Sequence, residues 1–481
     1  MIDPIRTRLA GVLIVCGALA VSPSRAQTNS DPGQSPASPE PVPAAPVTTP
    51  MEETTTGGGL MQRDKLLGTF GGVRPVLEAH GIVLTLSETS EVLGNPTGGR
   101  ATGVIYEGAT NASLDIDMEK AVGVSGGTMR ISALQIHGRG LSTNYVGNLN
   151  VVSSVEATRS SRLYEIWYQQ MLFEGKADIR VGQQSADLEF ALTSYGGLFT
   201  NSSFGWSSLF SVSLPGGGSA YPLGVLGARM RLRPREDTTI LLGVFNGNPA
   251  RPGTNDPQLR DAQGTSFRLN DGYFAIGEVQ YAINGGEKAT GLAGTYKLGG
   301  WYHSRAFTNQ FFVSTLGIAS NNTGSPGRPN DDWILYGVAD KLVWSAPGTK
   351  DGGVGVFARV MGGPGSRNQI NVFANAGATY KGVFGRENDT VGLGLAWARI
   401  SDTARANDAA LAAASPLGFS PIRSSEVTLE LTYQAQVSPW LTLQPVAQYV
   451  FNPGGGVVNP GRPDRRVGDA AVFGIRTVVA F

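Results

Sequence analysis

Residues 426–437 alternate without a break: Val427, Leu429, Leu431, Tyr433, Ala435 and Val437 fall on one side, and Glu426, Thr428, Glu430, Thr432, Gln434 and Gln436 on the other. A strand sends successive side chains to opposite faces, so this stretch predicts a strand with one apolar and one polar face. The same beat runs through Leu441, Leu443, Ala447, Tyr449 and Phe451 against Thr442, Gln444 and Gln448. It recurs in Val391, Leu393, Leu395 and Trp397 against Gly392 and Gly394, and ends the chain with Phe473, Ile475, Thr477, Val479 and Phe481 opposite Arg476. Sixteen segments of this kind are predicted, at 82–93, 103–116, 127–138, 162–172, 177–187, 222–233, 237–247, 272–283, 290–304, 332–344, 353–361, 369–380, 389–400, 425–437, 440–451 and 470–481. In 129–138 the phase changes, because Arg130 and Ser132 share parity with Leu134 and Ile136; a bulge or an abrupt rim is expected there.

The connections sort by length. Long ones follow the third, fifth, seventh, ninth, thirteenth and fifteenth segments, and those after even-numbered segments are short. Long loops at one end and tight turns at the other mark an up-and-down transmembrane barrel with both termini at the short-turn, periplasmic end. The predicted fold is all-β: a 16-stranded antiparallel transmembrane β-barrel of the bacterial outer membrane with a short periplasmic N-terminal helical segment. The second face of the strands carries Arg, Glu, Gln and Gly, and no spare helices exist to cover the first, so the apolar face meets lipid. Girdle aromatics are expected at Tyr164, Tyr168, Tyr281, Tyr296, Tyr302, Trp397, Tyr433, Tyr449 and Phe481. Closure satisfies the backbone without water, and a barrel of this size is wide enough for an aqueous lumen.

Composition narrows the picture further. Glycine numbers 66 in 481 residues without a Gly-X-Y period, which excludes collagen and favours turns and closely packed strands. Charge is balanced, 38 Lys and Arg against 38 Asp and Glu, so nucleic acid is not an expected partner. The one long apolar run, residues 9–21, is shorter than a spanning helix. Preceded by Arg6 and Arg8 and followed by Ser24 and Ala26, it reads as a signal peptide, 1–26, that carries Cys16, the one cysteine, away from the exported chain. Residues 27–59 form a disordered Pro/Ala/Thr-rich tether, 60–81 a periplasmic helical prologue, and 82–481 the barrel.

Parity places Glu165, Gln169, Arg180, Arg229, Arg231, Arg233, Glu278, Gln280, Lys297, His303, Arg359, Glu426, Glu430 and Arg476 inside. The signs are mixed, whereas an ion-selective pore is expected to show a ring of one sign. Arginine, glutamate and glutamine together donate to and accept from hydroxyls, which suits small neutral sugars. The loop after the fifth segment carries Tyr195, Phe199, Phe204, Trp206 and Phe210. These rings either stack on sugar or pin the loop to the wall; in both cases the loop folds inward.

Several blocks, in order, resemble the OprB-type carbohydrate-selective porins: Leu66-Leu67-Gly68-Thr69-Phe70-Gly71-Gly72-Val73-Arg74-Pro75, Ala133-Leu134-Gln135-Ile136-His137-Gly138-Arg139, Leu163-Tyr164-Glu165-Ile166-Trp167, Arg180-Val181-Gly182-Gln183, and Gly197-Leu198-Phe199-Thr200-Asn201 through Trp206 to Leu214-Pro215-Gly216-Gly217-Gly218. The resemblance implies an outer-membrane channel for passive diffusion of glucose and other small sugars, with inward-folded loops narrowing the lumen. It also implies matched polar or aromatic positions at Gln135, His137, Arg139, Glu165, Arg180 and Trp206. The candidate pore-lining set is therefore Arg130, Gln135, His137, Arg139, Glu165, Gln169, Arg180, Trp206, Arg229, Arg231, Glu278 and Arg359. Expected partners are small neutral sugars, outer-membrane lipid and the barrel-assembly machinery through Phe481; self-association is left open. No cofactor, metal or catalytic residue is expected, since His80, His137 and His303 are the chain's three histidines and none sits in a catalytic motif. The alternatives are a general-diffusion porin without sugar selectivity and, in a different class, an adhesion or hydrolytic barrel.

Overall fold

The computed structural model describes residues 59–284, 291–311, 331–346, 352–414 and 418–481. The expected signal peptide and all of the expected tether but Gly59 lie outside these residues. Alternating segments close on one another because an open edge in lipid would leave a row of backbone groups unpaired. The strands are β1 (Ile82–Gly99), β2 (Gly103–Asp117), β3 (Gly127–Gly138), β4 (Ser160–Leu172), β5 (Ala177–Gln184), β6 (Val225–Arg235), β7 (Thr238–Asn246), β8 (Tyr273–Ile283) and β9 (Gly294–His303). They continue as β10 (Asp332–Ser345), β11 (Gly353–Gly362), β12 (Ile370–Lys381), β13 (Thr390–Ile400), β14 (Ser425–Ser438) and β15 (Leu441–Phe451). A small hairpin of β16 (Val458–Asn459) and β17 (Arg462–Arg466) precedes the last wall strand, β18 (Gly468–Ala480). Sixteen of these form a closed barrel, each antiparallel to its sequence neighbour in the wall, with β18 sealing against β1 from Ser87↔Ala480 to Gly99↔Gly468.

The predicted segments and the wall strands agree in number and order. β1 runs on to Gly99 because Asn95 holds its far end, donating to the carbonyls of Gly98 and Ala101 at 3.3 and 2.8 Å, where the glycines suggested an earlier stop. The β16–β17 hairpin was not predicted; it is two and five residues long, and its second strand is Arg and Asp around Pro463, so no alternation announces it.

The outward face carries the expected apolar belt: Val181, Leu242, Val279, Leu298, Leu335, Val360, Leu393, Leu431 and Ile475 are all exposed. Tyr281, Tyr296, Tyr302, Trp333, Trp344, Tyr449 and Phe451 stand exposed nearer the strand ends, where amphipathic rings favour the interface. Tyr164 is a correction. It is buried and packs edge-on against Tyr221 at 6.2 Å, because β4 bulges there: the register passes from Ser132↔Glu165 to Ala133↔Leu163 and turns the Tyr164 ring away from lipid. The phase of β3 itself never changes. Leu134 and Ile136 stay inside with Arg130 and Ser132, their apolar character explained by Ala157, Leu188 and Tyr221 packing on them from within.

At the short-turn end, residues 60–79 form a 3-10 turn at Leu60–Gln62 and the helix α1 (Val73–Ala79). Leu66 N–H donates to the Ala480 carbonyl at 2.8 Å, the Trp440 indole donates to the Leu60 carbonyl at 2.9 Å, and buried Arg74 donates to the carbonyls of Phe481 and Gly68.

Candidate functional site

The lumen is not an empty tube. Residues 185–224 fold into it and take up much of one side. Short helices such as α2 (Met118–Val122) sit in the turns, whereas α3 (Ser208–Ser213) belongs to this inner loop and is buried at Ser208, Leu209, Phe210 and Ser213. Its aromatic residues settle against the wall: Phe199 stacks on Phe204 with ring centroids 4.4 Å apart, and both meet Phe357 of β11. Trp206 packs on Phe210 at 4.8 Å, and Phe210 in turn meets Trp301 and Tyr336. The rings pin the loop; the Trp206 indole donates to the Gly217 carbonyl at 3.0 Å.

The wall is shaped to receive them. Gly392 and Gly394 face inward, and a Cβ on either would lie 2.5 Å from Leu198 or 2.7 Å from Phe204. The side chains here are glycine because the loop fills the space. Inward charges on this side are consumed by the loop backbone. Arg359, 1 % exposed, donates to the carbonyls of Ala191 (2.6 Å), Ser203 (2.6 Å) and Gly205 (2.7 Å). Glu430 accepts from Thr200 and Asn201 N–H at 2.7 and 2.9 Å, and Glu426 from Leu149, Asn150 and Gly454 N–H, each at 2.7 Å. Glu278 takes the Ala191 N–H and the Tyr336 hydroxyl, both at 2.8 Å. Buried loop backbone must be paired, and these side chains are its partners.

The opposite wall, β2 to β6, is different in kind. Arg130 pairs with Asp115 at 2.6 Å, and Arg180 pairs with loop residue Glu189 at 2.5 Å. Arg229 donates to the same Glu189 at 2.8 Å and pairs with Asp178, which also holds Arg231 at 2.6 Å. Gln169 accepts from Arg180 and Arg229 at 2.9 and 3.0 Å. Trp167 lies among them, with the Arg180 guanidinium 3.9 Å from its ring centroid and that of Arg130 at 5.5 Å. Burial alone would raise the Glu189 carboxyl pKa, but Arg180 and Arg229 outweigh it and hold the group below its ordinary range. The side chains of Arg130, Asp115 and Arg231 are 27, 25 and 31 % exposed, against 1 % for Arg229, so water reaches this wall.

The candidate residues thus divide. Arg130, Gln169, Arg180, Arg229 and Arg231 come together in the one ladder. Glu165 is inward but buried, accepting from Ser185 N–H at 3.1 Å to fix the start of the inner loop. Glu278, Arg359 and Trp206 hold the loop rather than face open lumen. Arg139 follows β3 in a loop, its N–H bonded to the Tyr106 carbonyl. Gln135 and His137 face outward, not into the pore, because they alternate with inward Leu134 and Ile136. Sequence reasoning left out Asp115, Trp167, Asp178 and Glu189. Trp167 shares parity with Glu165 and Gln169, and Asp178 with Arg180, so strand phase contained that signal; Glu189 lies in a loop, where no parity exists to read.

Residues 101–481 match the family described as carbohydrate-selective porin, OprB family. Porin B of Pseudomonas aeruginosa is 25 % identical over 413 residues, covering 81 % of this chain and 87 % of that protein. A putative porin, QuiX, of Acinetobacter baylyi is 24 % identical over 421 residues, covering 82 and 89 %. Among solved structures, the high-pH structure of Pseudomonas putida OprB superposes with a TM-score of 0.77 at 22 % identity, covering 88 % of this chain and all of that one. The low-pH structure of the same protein gives 0.53 at 17 % identity, covering 88 and 99 %.

Proposed function

We propose, for a chain that belongs to the OprB family of carbohydrate-selective porins and forms an outer-membrane sugar channel, that small neutral sugars such as glucose diffuse passively along the arginine wall of β3 to β6. Family and fold point to a channel rather than an enzyme. The observation that carries the reading is the ladder of Arg130, Asp115 and Arg231, part-exposed to the lumen and laid over the buried Trp167–Arg180 pair. Trp167 is buried beneath the Arg180 guanidinium and sets its position, while the part-exposed guanidinium and carboxylate groups of Arg130, Asp115 and Arg231 donate to and accept from the ring hydroxyls of a sugar. Each such hydrogen bond replaces one to water, so its net worth is small, about 0.5–1.5 kcal/mol. That is the regime a diffusion channel needs, with binding firm enough to select and weak enough to release. Because every arginine of the ladder but Arg130 shares a carboxylate with another, the wall has little net field to repel or trap ions.

The test is single-channel conductance in a planar bilayer, titrated with glucose, maltose and an uncharged polymer of similar size. Saturable block by sugar but not by polymer is expected, with Trp167→Ala weakening the block roughly tenfold, the loss of about 1.4 kcal/mol. Block by polymer and sugar alike would leave a general-diffusion porin. Full sugar block in Trp167→Ala would remove the wall from the path.

A further inference from the structure

The long-loop end of the barrel carries a groove of about 320 Å³ on the socket side, outside the arginine wall. Four connections frame it, those that follow β9, β11, β13 and β15, and all four lie at the end opposite the prologue. The third holds the helix α4 (Asp402–Ala414), whose Ala404 is buried in the same core as Ile370 and Ile400 at the adjoining strand ends. The groove therefore rests on the packing that seats the inner loop.

Its polar side chains are fixed from behind. In α4 and the chain after it, Arg423 donates through Nε and Nη2 to the Asp408 carboxylate at 2.8 and 2.9 Å, and the Arg423 N–H adds a third bond at 3.0 Å. The Arg466 guanidinium of β17 donates to the preceding carbonyl, that of Ile422, at 3.2 Å. In the connections after β9 and β11, Gln310 donates to the Arg367 carbonyl at 2.9 Å, Arg367 pairs with Asp331 at 2.8 Å, and Asn368 donates to buried Asp332 at 3.0 Å. Two groups in this frame keep hydrogen-bonding capacity to spare. Among the described residues the Gln369 amide has no partner, and the Gln310 amide uses only its N–H. Leu411, Val457 and Val458 add an aliphatic face.

We propose that this groove is a second sugar site, which takes a neutral hexose from the outer medium at the mouth of the channel. Its volume lies at the small end of the range for ligand pockets, ~300–1,000 Å³, which suits a monosaccharide better than a long chain. Asp408 and Arg423 neutralise each other, so the pair offers no uncompensated charge to an ion. The two glutamine amides and the Ser420 hydroxyl donate to and accept from hydroxyls, and the aliphatic face meets the C–H side of the ring. Because the frame is bonded before a ligand arrives, little further ordering is lost on binding. The set repeats the chemistry of the arginine wall, an arginine tied to a carboxylate with a glutamine beside it, and shares no residue with it. The proposal rests on the reading of the chain as a sugar channel and on none of the side chains of that wall.

The test uses the full chain in outer-membrane vesicles, with Ser420→Cys as a reporter in the groove, Thr254→Cys as a reporter on the loop after β7, and the wild type as blank. Each is labelled with a membrane-impermeant maleimide, alone or with glucose, gluconate or an uncharged polymer of similar size, and heat-modifiable migration confirms a folded barrel. At a glucose concentration about ten times Kd roughly one site in ten stays free, so labelling of Ser420→Cys should slow roughly tenfold while Thr254→Cys is unaffected. That protection should persist when Trp167→Ala is added, and should fall to the polymer's level with Gln369→Ala or with Leu411→Trp, which fills the aliphatic face. Protection that disappears with Trp167→Ala traces the effect to sugar in the lumen and overturns the mouth site while the reading of the wall stands. Protection by gluconate or polymer as strong as by glucose, protection untouched by both groove variants, or no protection at all overturns it as well. Protection kept where conductance shows no sugar block supports the groove and removes the wall alone.

Discussion

The two inner walls are built on the same two-residue period and end in opposite uses. Along β3 to β6 the inward positions carry Arg130, Trp167, Arg180, Arg229 and Arg231, whose partners Asp178 and Gln169 stand in the same wall, Asp115 in the adjoining β2 and Glu189 in the inner loop. Along β10 to β13 they carry Ile334, Tyr336, Val338, Phe357, Met361, Phe373, Gly392 and Gly394, and the one arginine among them, Arg359, gives its donors to loop carbonyls. A wall whose charges are neutralised largely sideways can stand in water. A wall whose polar groups point at backbone becomes a socket. The lumen is narrowed because one half of it is a small hydrophobic core.

The largest effect is expected where the socket grips the loop. Arg359→Ala takes this donor from the Ala191 and Gly205 carbonyls and leaves the Ser203 carbonyl with Asn375 Nδ2, at roughly 1–3 kcal/mol for each group left unsatisfied. The inner loop should leave its seat while the closed wall persists. Conductance should then rise severalfold, sugar block should vanish, and added protease should cut within 185–224. An Arg359→Ala channel with wild-type conductance and block would mean that the aromatic packing alone holds the loop, and the contrast between the walls would weaken accordingly.

How much of this could be read beforehand follows the same division. Strand number, order and inward parity were legible because lipid imposes one strict rule on every strand, and Glu426, Glu430, Arg229 and Arg359 all face inward as their phase requires. What those groups bind was not legible. Period fixes the side of a wall but not what lies against it, so Arg359 and Arg180 looked alike although one meets loop carbonyls and the other a tryptophan ring. Gln135 and His137 were misplaced for another reason. They entered the pore-lining set through the family resemblance and not through strand phase; the parity of β3 puts them outside, and the inner loops make the true inner positions, Leu134 and Ile136, apolar. Where the inner face of a strand meets packed protein instead of water, hydrophobicity no longer tells inside from outside.

A smaller effect separates the walls by pH. Glu189 joins the loop to the arginine ladder, and its carboxyl is held below its ordinary range by Arg180 and Arg229. A depressed folded pKa gives stability that is complete above the unfolded value, about 4.3 for glutamate, and is lost as pH falls through the folded one. Sugar block should therefore hold unchanged from neutral pH down to about 5 and fail only in stronger acid. Glu189→Gln should bring the failure to neutral pH, because Arg180 and Arg229 then face each other across an amide. Block that fades between pH 7 and 5 in the wild type would place the controlling group elsewhere.

The smallest effect concerns the prologue, which touches neither wall's inner face. Arg74 is buried and donates to the Phe481 and Gly68 carbonyls, joining residues 60–79 to the end of β18. Two other links remain without it, from Leu66 N–H to Ala480 and from Trp440 to the Leu60 carbonyl. Arg74→Ala should cost about 1–3 kcal/mol of local stability, seen as faster amide exchange in 60–79 with conductance and sugar block unaltered. The reason is structural: Leu86 and Phe481 still pair across the β1–β18 seam at 2.9 Å, so closure of the barrel does not depend on the segment docked beneath it. If Arg74→Ala instead changes the conductance, the prologue belongs to the permeation path, and the lumen must be described with a third surface beside its two walls.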